Sequence, residues 1–256
     1  MNNSNNKNKT IGIMDSGLGG YTYYRYLRQQ FPEVSLTFCA DQAHVPFGNK
    51  KHEELFDYGK AMTEWLIEKG ASTILVACNT LSVTVLSQLK EQFPEVHFES
   101  VVEFLLASID DSLMDLAVIG TMKTIDSNTY HEALNHNPER NIVCIATPWL
   151  ASAIEDMVET SVLKEMIADL KPALQASTHL VLACTHYPIV QDLLKEVLEV
   201  ETIDGIEPSR DWMASLAVRP LGPSAIYTSG DPNQLEQQVF DLFGEVIEVQ
   251  YSDFKI

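Results

Sequence analysis

Two segments of the chain, "ILVACNT" at 74–80 and "LVLACTH" at 180–186, are near copies. Each is an apolar run that stops at a cysteine followed by hydrogen-bonding side chains. A continuous apolar run of that length suits a strand buried on both faces, and such strands belong to a parallel sheet covered by helices. The surrounding segments agree. "TIGIMDSG" (10–17) reads as a strand meeting a turn, "TYYRYLRQQF" as a helix, and "VSLTFCAD" (34–41) as a second strand. Residues 52–69 carry Leu55, Tyr58, Met62, Trp65 and Leu66 at helical spacing, with Gly70 placed to cap the C-terminus. "STILVACN" is a third strand and "SVTVLSQLKEQF" the helix after it. This alternation predicts α/β architecture.

The cycle then restarts. "DLAVIGTMKT" (115–124) resembles the first strand and turn, with helical residues near 128–134. "NIVCIAT" (141–147), "LASAIEDMVE" and "THLVLACTH" (178–186) follow, with a helix from about Ile189 to Leu198. Cys184 lies 106 positions after Cys78, and Thr121 lies 105 after Ser16. Matching offsets predict an internal duplication. The expected fold is therefore two pseudo-symmetric parallel-sheet α/β domains with the active site in the cleft between them. "SAIYTSGDPNQLEQQVFDLFG" adds a strand and a helix that return to the first half. The expected division is 10–100 plus about 210–256 for the first domain and 101–209 for the second. Residues 1–9 are polar, lack the apolar core of a signal peptide, and are expected to form a disordered lead-in.

In an open parallel sheet, ligands sit beyond the carboxyl ends of the strands, where loops lead into helix N-termini. The polar groups at those ends are then the candidate site. Asp15, Ser16, Cys78, Asn79 and Thr80 come from the first half, and Thr121, Cys184, Thr185 and His186 from the second. A lone cysteine closing an apolar strand is most often inert core, and Cys39 and Cys144 keep that reading. The equivalent placement of Cys78 and Cys184 in two repeats argues otherwise. A pair of thiols on opposite walls of a cleft can act on one carbon, one removing a proton and the other returning one to the opposite face. Such a step inverts a stereocentre. Asp15 and His186 stand beside the thiols as candidate acid–base partners, with Asp41 and Glu155 as outer support.

Net charge decides against some alternatives. At −19, with no basic cluster, the chain would repel a phosphate backbone, so nucleic acid is not an expected partner. An anionic small molecule must instead be met by backbone N–H groups and hydroxyls. The four cysteines are widely spread, without a Cys-x-x-Cys pair, which fits a reducing cytosol. No apolar run approaches a membrane span, and a cytoplasmic protein is expected. "DSGLGG" lacks the pattern of either phosphate-binding loop. Cysteines with His44, His52 or His186 lack the paired spacing of a zinc site, so no metal and no cofactor are expected.

"DSGLGG" (15–20), "ADQAHVPFG" (40–48), "VACNT" (76–80), "ACTHYP" (183–188) and "YTSGD" (227–231), in that order, resemble the glutamate racemases of the aspartate/glutamate racemase family. Aspartate racemases carry Cys-Thr-Glu where this chain has Cys184-Thr185-His186. The resemblance implies a cofactor-independent isomerase that interconverts L- and D-glutamate, supplies D-glutamate for peptidoglycan, and forms a homodimer. It implies Cys78 and Cys184 as the acid–base residues. The substrate would be lined by Asp15, Ser16, Phe47, Gly48, Asn79, Thr80, Thr121, Thr185 and His186. Three departures stand out. Phe47 replaces the usual tyrosine, Thr147 stands where Cys-Pro is common, and "IDGIE" (203–207) lacks a serine after the aspartate. Alternatives remain open at this point: an aspartate or related amino-acid racemase, a cysteine hydrolase using Cys184 with His186, or a non-catalytic amino-acid-binding relative.

Overall fold

The structure, a computed structural model, describes residues 9–255; the polar lead-in, Lys9 apart, lies outside the described residues. Among the described residues ten strands fall into two sheets. In chain order they are β1 (Thr10–Asp15), β2 (Leu36–Ala40), β3 (Ala71–Val76), β4 (His97–Ser100), β5 (Asp115–Gly120), β6 (Asn141–Ala146), β7 (His179–Ala183), β8 (Glu201–Ile203), β9 (Ala225–Thr228) and β10 (Val249–Tyr251). The six-stranded sheet runs β10-β9-β2-β1-β3-β4, the four-stranded sheet β6-β5-β7-β8, and every pairing is parallel. The order β2-β1-β3-β4 recurs as β6-β5-β7-β8, so the repeat seen in the sequence is also a repeat of topology.

The apolar runs lie where two-sided burial requires them. All residues of β1 and β2 are buried, and apolar clusters cover both faces of each sheet. One face of the six-stranded sheet packs Leu27, Phe38, Met213 and Val239; the other packs Met62, Leu66, Leu81 and Leu89. The four-stranded sheet is sandwiched by Leu150, Ile154, Ile167 and Leu194 on one side and Val102, Val118, Tyr130 and Val181 on the other. The helix His52–Glu68 occupies the predicted span, with Gly70 at φ 98 just beyond it, a conformation glycine adopts without a Cβ penalty.

Strand ends bring the chemistry together. β1 delivers Asp15, whose backbone carbonyl accepts from Asp41 at 3.0 Å, so β1 and β2 end level. Thr147 donates to Gly120 at 2.8 Å, giving β5 and β6 the same level finish. The helix after β3 begins at Asn79, three residues earlier than the apolar pattern indicated, and breaks at Val85 before resuming over Leu86–Gln92. That early start places Cys78 at the helix N-cap.

Candidate active site

The carboxyl ends of β1, β3, β5 and β7 face one another and enclose a cavity of about 20 Å³, room for little more than one water molecule. It is lined by Ser16, Phe47, Gly48, Cys78, Asn79, Thr80, Thr121, Cys184, Thr185 and His186, together with Val45, Pro46 and Ala151. Both thiols therefore border the same space. Cys39 and Cys144 lie inside β2 and β6 and do not border it.

Each wall is completed by atoms from the opposite unit. Asp15 accepts from Ser16 N at 2.7 Å and, across the cleft, from the Thr185 hydroxyl at 2.8 Å. Thr80 Oγ1 and Thr121 Oγ1 meet at 3.0 Å, and Tyr130 donates to Asn79 Oδ1. The turn Gly17–Gly20 lies against the second unit so closely that a Cβ on Gly17 would stand 2.6 Å from Glu155 Oε2. One on Gly19 would stand 2.6 Å from His186 Nδ1 and 2.8 Å from its backbone nitrogen. Here glycine is required by close approach.

The two thiols have different surroundings. Cys78 Sγ lies 3.9 Å from Ser16 Oγ and beside the Asp15 carboxyl. Burial first, then the Asp15 charge, push the Cys78 thiol well up. Burial likewise pushes the Asp15 carboxyl up, against the pull of the His186 charge and of donors from Thr185, Ser16 and Cys78. Cys184 Sγ lies 3.8 Å from His186 Nδ1, and His186 Nε2 is 2.6 Å from Glu155 Oε2. Burial works against a cation on His186, but hydrogen bonds to Cys184 and Glu155 and the Glu155 charge outweigh it. The imidazole is held well above its ordinary range. Burial also opposes charge on Glu155, yet His186, Gln42 and the Leu18 N–H keep that carboxyl below the usual range. One side therefore holds a neutral thiol beside a carboxyl, and the other a thiol facing an imidazolium that can stabilise a thiolate.

Among the sequence-predicted residues, Asp15 and Glu155 do not line the cavity but bond to residues that do. Asp41 stands further back, its carboxylate bonded to His44 at 2.9 Å and to the Ser229 hydroxyl at 2.6 Å. Thr147 is fully buried, with its hydroxyl 2.8 Å from the Tyr187 hydroxyl, a packing position. Sequence reasoning missed Gln42, Gln238 and Tyr130. Gln42 lay within a quoted motif, but an amide has no spacing rule that singles it out. The glycines of "DSGLGG" did carry a signal of close backbone approach. Among the described residues no arginine or lysine lines the cavity, so an anion there would meet hydroxyls, amides and backbone N–H groups. Among the described residues no cluster of three His, Cys, Asp or Glu is placed to hold a metal ion.

Residues 11–208 match the sequence model of a family described as Asp/Glu/Hydantoin racemase. A glutamate racemase of Streptococcus thermophilus is 30% identical over 261 positions, covering 96% of each chain. Among solved structures, a Bacillus anthracis glutamate racemase has a TM-score of 0.86 at 26% identity, covering 96% of this chain and 98% of that one. A Thermus thermophilus glutamate racemase in complex with β-chloro-D-alanine has a TM-score of 0.82 at 26% identity, covering 96% and 97%.

Proposed function

This chain belongs to the Asp/Glu/Hydantoin racemase family, and on that premise we propose that it interconverts L- and D-glutamate by proton transfer between two cysteines. The observation that carries the reading is the shared cavity with Cys78 and Cys184 on its border. In one direction the Cys184 thiolate takes the α-hydrogen as a proton and becomes a thiol. The carbanion then takes the Cys78 proton on its other face, leaving a Cys78 thiolate. The reverse direction exchanges the roles. Burial and Asp15 oppose a thiolate on Cys78, and the His186 ring stands 3.8 Å from Cys184 Sγ. The substrate's carboxylates bind Ser16, Asn79, Thr80, Thr121 and Thr185, with Phe47 and Gly48 closing the side; Asp41 and Glu155 support from behind.

The family resemblance also supports a homodimer, a cytoplasmic location and supply of D-glutamate to peptidoglycan. Among the described residues no helix is long and apolar enough to cross a membrane. The division into 10–100 plus 210–256 and 101–209 belongs to the same reading. It is supported by the strands of the six-stranded sheet, which come from both ends of the chain.

Circular dichroism of purified protein incubated with L-glutamate tests the proposal. The signal should decay to zero as the racemate forms. A constant signal with measurable glutamate binding would leave a binding protein instead. Cys78→Ser and Cys184→Ser should each lose at least about 100-fold in turnover while keeping the far-ultraviolet spectrum. Full activity in either variant removes that cysteine from the mechanism. A second reading draws on the Cys184–His186–Glu155 array, which could activate a nucleophilic thiol for hydrolysis. It leaves Cys78 idle. Hydrolysis of an amide or ester leaves the α-hydrogen in place, whereas racemisation exchanges it with solvent.

A further inference from the structure

Gln42 lies two positions beyond β2, outside the cavity, in the unit opposite Glu155. Its amide orientation is set from behind. Gly230 N donates to Thr228 Oγ1 at 3.0 Å, and the Thr228 hydroxyl donates to Gln42 Oε1 at 2.9 Å. With the amide oxygen so occupied, Gln42 Nε2 turns its two hydrogens forward. One goes to Glu155 Oε1 at 2.6 Å, the other to Gln238 Oε1 at 3.0 Å. Gln238 Nε2 then donates to the Glu155 carbonyl at 2.6 Å. The chain of donors runs one way and ends on Glu155.

The carboxylate divides its oxygens. Oε2 faces His186 Nε2 at 2.6 Å and Leu18 N at 3.0 Å; Oε1 has Gln42 and a longer 3.3 Å approach from Leu18 N. A carboxylate and an imidazole this close in a buried site compete for one proton, and donors on the carboxylate favour its ionised form. We propose that Gln42 is a positioning residue for proton transfer at Cys184, holding Glu155 ionised and aimed so that the proton stays on His186. The inference rests on the racemase reading. The titratable groups facing His186 are Asp15, Cys184 and Glu155, and Glu155 itself faces His186.

Gln42→Met keeps the length of the side chain and removes both donors. Its signature is a displaced acid limb of the pH profile. Without the amide, Glu155 protonates at higher pH, so the acid limb of kcat moves up, while the basic limb does not move down. That acid limb should move by at least about half a pH unit, and kcat at the optimum should fall about ten-fold with little change in KM. Selective ¹⁵N-histidine NMR gives a second readout independent of turnover: between the two limbs the His186 ring should lose imidazolium character as the shared proton moves toward Glu155. Gln42→Asn, which retracts the amide by one methylene, should move the same quantities less. An unmoved acid limb and an unchanged His186 ring signal in Gln42→Met overturn the proposal, even if the protein melts earlier. If Gln42→Met does not fold, the same null result in Gln42→Asn overturns it. Failure of the racemase reading is distinct, because the wild-type protein would then show no turnover while the His186 ring signal still reports on Gln42.

Discussion

Glu155 gathers three partners beside the cavity, with His186, Gln42 and the Leu18 N–H all bonded to its carboxylate. Removing one partner of a buried ion pair costs about 3 kcal/mol or more, because the other charge is stranded. Glu155→Gln should therefore destabilise the fold by that order, and the loss should depend on pH. The Glu155 carboxyl is held low in the folded state, so its contribution is present above an unfolded value of about 4.3 and vanishes as pH falls through the folded value. His186 is held high, so its contribution is complete below about 6.5 and fades as pH rises through its folded value. The gap between wild type and variant should peak between about pH 4.5 and 6.5. Urea denaturation across that range measures it, and a pH-independent gap would detach stability from this pair.

Helix starts and tight turns carry the site at the next scale. Thr121 caps the helix Met122–Asp126 through its hydroxyl, which accepts from Thr124 N at 3.2 Å. The same hydroxyl meets Thr80 across the cleft. Thr121→Ala should lower stability by about 1 kcal/mol, the usual worth of an N-cap, and raise KM for glutamate; an unchanged KM would exclude Thr121 from binding. Gly19→Ala has no room against Thr185 and His186, and it should reduce kcat at least about 100-fold while shifting the melting temperature modestly. A fully active Gly19→Ala protein would show that this approach can relax freely. Sequence made the two strands that lead to Cys78 and Cys184 legible because their runs are long, apolar and repeated. The short strands β4, β8 and β10 were not read from it. At three or four residues, with exposed positions among them, they are too brief for periodicity to show. The early helix start at Asn79 was also hidden, since Asn79 and Thr80 read as strand-end polar groups whichever structure follows. Gln42 escaped for a third reason: its partners lie 113 and 196 positions away, and no local pattern encodes them.

At the scale of the molecule, the site exists only where the two sheets meet. The cavity of about 20 Å³ is far smaller than an amino acid, so on the proposed function its walls have to move outward to admit glutamate. On the proposed two-thiol mechanism, water is excluded during the transfer, and the hydrogen delivered to product comes from a thiol that exchanges with solvent between turnovers. In deuterium oxide the enantiomer formed should carry deuterium from the earliest time points, while unreacted substrate should remain almost unlabelled. Early label in recovered substrate would mean that a single base exchanges the α-hydrogen before inversion.

The crossed ownership of these bonds has one more consequence. Thr185 of one unit serves Asp15 of the other, and Leu18 and Gln42 return the favour to Glu155. Were the units to part, both buried carboxyls would lose those donors together, while Asp15 would stay with Cys78 and His186 with Cys184. Shutting the cleft and furnishing those two acids are a single event.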